Sequence, residues 1–101
     1  MKRLLGQAHF CGEQCNVYIT RYGFDQHFGI VLESANDGMP VAKATSWYHG
    51  LENMEFAIKD YSENEGMLDC LLEANIIEPP HRKVQSGFVE LHIAKLKSKQ
   101  Q

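Results

Sequence analysis

The stretch KDYSENEGMLDCL, residues 59–71, crowds Asp60, Glu63, Glu65 and Asp69 together, and Glu73 follows two residues later. Such a run has the raw material for a cation loop, an acid pair or a docking face. The loop reading takes Asp60, Ser62 and Asn64 as alternating oxygen ligands. An EF-hand, however, needs glycine at loop position six and a bidentate Glu at position twelve. Counted from Asp60, Gly66 falls at position seven and Leu71 stands at twelve, so the spacing fails. His9, Cys11 and Cys15 form H-x-C-x3-C, with ligand types that suit zinc. A structural zinc takes four ligands, and His27, His49, His81, His92 and Cys70 are scattered singles.

Covalent catalysis finds no better footing. Cys70 lies among Met67, Leu71 and Leu72 and reads as a small core hydrophobe. His92, on an alternating strand, reads as a packed or surface residue rather than a general base. No nucleophile elbow, phosphate loop or paired-acid motif is present. The chain therefore reads as non-enzymatic, with no catalytic residue, metal or cofactor expected. Aromatics offer a different chemistry. Trp47 and Tyr48, before His49 and Gly50, end a strand in a loop, as Tyr22, Gly23 and Phe24 end another. Trp and Tyr anchor interfaces because they bury much area at little conformational cost. The competing reading seals the sheet against the helix with Trp47.

The elements that must position these residues follow from hydrophobic period. Arg3–Phe10 opens as a strand, and in Gln14–Tyr22 the residues Cys15, Val17, Ile19 and Arg21 alternate toward the core. His27–Ser34 is a third strand, with Phe28, Ile30 and Leu32 on one side, and ANDG (35–38) turns it into a fourth, Pro40–Trp47. Met54–Lys59 makes a short fifth. Then the period changes: Met67, Leu68, Leu71, Leu72 and Ala74 make a helical stripe, and Ser62 with Glu65 suits a capping box. Asn75 can terminate that helix in the left-handed region, and Pro79-Pro80 forbids its continuation. Ser86–Leu96 alternates as a last strand. The expected fold is α+β: a twisted antiparallel sheet of about five strands with one α-helix, Glu63–Ala74, packed on one face. A single domain over 1–96 with a frayed basic tail at 97–101 is expected, and the sheet's other face leaves room for a homodimer.

Charge is uneven. Residues 52–78 hold eight acids against Lys59 alone, while the remainder holds five acids and nine bases. That distribution argues against direct nucleic-acid binding, which needs a continuous basic surface. No apolar run approaches the ~20 residues of a membrane span, and MKRLLGQAHF lacks the apolar core of a signal peptide. Three cysteines, an odd count, are expected as free thiols, so a cytoplasmic protein is expected.

IKDYSENEGMLDCLLEANIIEP, residues 58–79, continues through Lys83-Val84-Gln85-Ser86-Gly87-Phe88-Val89 to Ala94-Lys95-Leu96. With the earlier pattern of strand, ANDGMP turn and VAKATSWY, this resembles a domain-of-unknown-function family of small bacterial proteins encoded largely by phages, plasmids and integrated elements. Pro80-His81 stands where a glycine turn would be expected in that family. The family has no assigned chemistry, so the resemblance carries over no catalytic residue. What it implies is context: small accessory proteins of mobile elements often bind and block a host machine. The expected function is accordingly an anti-CRISPR-like inhibitor. Carboxylates Glu63, Glu65, Asp69 and Glu73 would occupy a basic nucleic-acid channel of a host protein or nucleoprotein complex, with Trp47 and Tyr48 anchoring nearby. The alternative is a regulatory or structural protein of the element with no inhibitory role.

Overall fold

The computed structural model describes residues 2–22, 27–46, 48, 50–52 and 54–97. In chain order it gives β1 (Lys2–Phe10), β2 (Glu13–Tyr22), β3 (His27–Ser34), β4 (Pro40–Lys43), β5 (Thr45–Ser46) and β6 (Glu55–Ile58). A 3-10 turn (Ser62–Asn64), helix α1 (Met67–Glu73), β7 (Arg82–Ser86) and β8 (Val89–Lys95) follow. Two-residue turns make the tightest hairpins. Cys11 and Gly12, at φ 54° and 76°, give the primed turn whose twist matches β1 and β2. The ANDG turn forms where the residue types demand it: Gly38 sits at φ 76°, and Asp37 Oδ1 accepts from the Met39 N–H at 3.0 Å.

These strands build two antiparallel four-stranded sheets, ordered β1-β2-β3-β4 and β5-β6-β8-β7, not one sheet of about five. Two local events account for the difference. The expected strand Pro40–Trp47 changes sheets at Ala44. That fully buried residue donates its N–H to Ile30 O in the first sheet at 2.8 Å and accepts from Lys59 N beside the second sheet at 2.8 Å. The next side chain reinforces the corner, Thr45 Oγ1 accepting from Ile30 N at 3.1 Å. The expected strand Ser86–Leu96 is the end of a hairpin, turning at Gly87 (φ 63°) and Phe88.

The main core lies between the inner face of the first sheet, one face of the second and α1. Cys15, Val17 and Ile19 point into it as their alternation predicts, and Arg21, at the end of β2, is exposed. Ile30 and Leu32 join them, while Phe28 at the start of β3 stays 48% exposed. Phe56, Ile58 and Ala94 come from the second sheet, and Met67, Cys70 and Leu71 from α1. Because strand side chains alternate faces, Ala57, Leu91 and Ile93 look the other way and form a small second cluster against Tyr48, Leu51 and Tyr61.

The helix is shorter than Glu63–Ala74, and its start differs. Ser62 adopts φ 54°, and Asn64, 2% exposed, donates from Nδ2 to Lys43 O at 2.6 Å. That anchor ties the 3-10 turn to β4, so no capping box forms between Ser62 and Glu65. Gly66, at φ 96°, breaks the chain between turn and helix and precedes α1 without a side-chain cap. The C-terminus agrees with the sequence: Asn75 takes φ 61°. Its N–H donates to Leu72 O at 3.1 Å and that of Ile76 to Leu71 O at 3.0 Å, the paired bonds of a left-handed helix end. Lys97, assigned to a frayed tail, donates to Ile76 O at 3.1 Å; the rest of that tail lies outside the described residues. Among the described residues no helix is long and apolar enough to cross a membrane.

Candidate functional site

The acids of residues 60–73 have three separate fates. Asp60 is structural: its Oδ1 accepts the Gly66 N–H at 2.6 Å and so helps fix the approach to α1. Glu63 is paired with Lys59 at 2.9 Å, four residues earlier. The hydrogen bond from Lys59 lowers the Glu63 carboxyl, and the same bond raises the Lys59 ammonium. Glu65, Asp69 and Glu73 are exposed, and none forms an ion pair with another described residue. The four acids expected at a partner surface are therefore not all carried by one helix. Only Asp69 and Glu73 share α1, one turn apart, while Glu63 and Glu65 precede it across the left-handed Gly66.

Of the expected aromatic anchors, Tyr48 does not sit with these acids. Trp47 lies outside the described residues. Tyr48 is half-buried in the second cluster, on the opposite side of the second sheet from the core that α1 closes. Its ring lies over Gly50 so closely that a Cβ there would stand 2.6 Å from the ring edge. The aromatic linked to the acidic segment is Tyr61, which the sequence reading did not single out: Lys59 Nζ lies 5.9 Å from its ring centroid while paired with Glu63.

The sets weighed as metal ligands are also dispersed. In the β1–β2 register Ala8 faces Cys15 and His9 faces Gln14. His9 is consequently exposed on the outer face, and Cys15 is fully buried on the inner one. Asn64 turns inward to Lys43 O. All three cysteines are free thiols, with Cys11 exposed and Cys15 and Cys70 buried. Burial pushes the Cys15 thiol up, and pushes that of Cys70 to about 11.

A charged cluster that sequence reasoning missed pins the second sheet. Glu55 heads β6 with a side chain 4% exposed, and its carboxylate accepts from Arg82 Nη2 at 2.7 Å and contacts His81 Nε2 at 2.5 Å. The Glu52 N–H donates to the same carboxylate at 2.9 Å. Hydrogen bonding from Arg82, then from the Glu52 backbone and His81, holds the Glu55 carboxyl at about 2, against burial that would raise it. Arg82 also donates to Gly50 O at 3.0 Å, tying the loop before β6 to β7. A signal was present: a carboxylate heads the apolar run EFAI, and His81-Arg82-Lys83 is the one run of three basic residues in the chain. Both oxygens of the Glu55 carboxylate are engaged, by Arg82, His81 and the Glu52 N–H, so the cluster reads as a clamp.

No family model, curated protein or solved structure matches the chain. The Ser86-Gly87-Phe88-Val89 element is the β7–β8 turn.

Proposed function

We propose that this chain is a non-enzymatic binding protein that sets the carboxylates Glu65, Asp69 and Glu73 against a basic, nucleic-acid-binding surface of a partner. The observation that carries this reading is the charge arrangement on α1. Asp69 and Glu73 are like charges at i,i+4, and Glu73 ends a helix that has no basic residue in its last turn. Like-charge spacing works against this pair by about 0.2–0.5 kcal/mol, and the helix dipole, which suits Asp69 in the first turn, works against Glu73 by about 0.3–1 kcal/mol. A basic partner surface reverses both terms, so binding relieves what folding leaves unfavourable. The context comes from the resemblance: a phage- or plasmid-encoded inhibitor of a host defence nucleoprotein complex in the cytoplasm, with a CRISPR effector as the specific target.

The test is inhibition of target-DNA binding by a purified guide-RNA-loaded effector, read by fluorescence anisotropy, with wild type and with Asp69→Lys/Glu73→Lys. Inhibition by wild type and its loss in the folded double variant support the reading. Equal inhibition by both proteins removes the electrostatic mechanism. No effect on any effector from the bacterial hosts of such elements removes the inhibitor role and leaves a protein that serves its own element.

A further inference from the structure

We draw no further inference here: the strongest candidate, the surface patch at the end of the first sheet's inner face where Arg3 and Arg21 are exposed beside Phe28, carries nothing because nothing in the structure shows what covers it.

Discussion

Replacing Glu55 by glutamine removes one charge while keeping the side chain's size, and the structure sets what that charge contributes. The carboxylate is 4% exposed and holds Arg82 at 2.7 Å and His81 at 2.5 Å. Its carboxyl titrates at about 2 in place of 4.5. At 1.36 kcal/mol per pH unit, that difference corresponds to about 3 kcal/mol. Arg82 and His81 are themselves 36% and 39% exposed, so water screens the cluster, and a discount to roughly 2 kcal/mol is appropriate. The sign follows from linkage: a folded-state value below the unfolded one gives stability that is complete above about 4.5 and is lost as pH falls through about 2. Urea unfolding of wild type and Glu55→Gln across this range is the assay. The wild type should be more stable by roughly 2 kcal/mol at neutral pH, and the gap should close between about pH 5 and pH 2. Taking the difference between two proteins cancels the other carboxylates, Glu63 included. If the two curves run parallel through that window, the charge of Glu55 contributes nothing net, and desolvation has offset the clamp.

Gly6 occupies φ 157° beside the β1 bulge, where a Cβ would stand 3.0 Å from Ile76 Cδ1. Gly6→Ala should lower stability by about 1–3 kcal/mol in thermal unfolding. At pH 8 a thiol reagent should label Cys11 rapidly, and Cys15 and Cys70 only on unfolding, since both are buried and the Cys70 thiol titrates near 11. The α1 reversals carry a stability readout that a merely structural role would not share. Glu73→Lys should raise the unfolding free energy by about 0.5–1.5 kcal/mol, because it removes a like-charge pair and suits the helix terminus, while partner binding falls.

What the sequence made legible is what depends on near neighbours. The inward set Cys15, Val17 and Ile19, the ANDG turn and the terminating Asn75 are each set by a period of two or by one residue's tolerance of positive φ, and each stands in the structure. The errors arise where a distant partner decides. Nothing within Pro40–Trp47 announces that the Ala44 N–H bonds Ile30 and its carbonyl bonds Lys59, yet those two bonds divide one sheet into two. The Ser62–Glu65 capping box lost to a long-range competitor, the burial of Asn64 against Lys43 O. The acids of the candidate site were legible as a cluster but not as a face. Their division into Asp60 as a turn ligand, Glu63 as an ion-pair partner and the open Glu65, Asp69 and Glu73 depends on Gly66 in the left-handed region.

That division also bears on which carboxylates are free to act. Glu33 meets Lys2, Glu55 meets Arg82 and Glu90 meets Lys83 in the sheets, and Glu63 meets Lys59 ahead of α1, whereas Glu13 on β2 forms no ion pair with another described residue. On α1, two acids stand one turn apart, one of them at the end the dipole disfavours, and no basic residue occupies the last turn. A seven-residue helix gains little from propensity and is held by Met67, Cys70 and Leu71 in the main core and by its Asn75 terminus. Those anchors are apolar or backbone, so the outward charges of α1 can be reversed without loosening them.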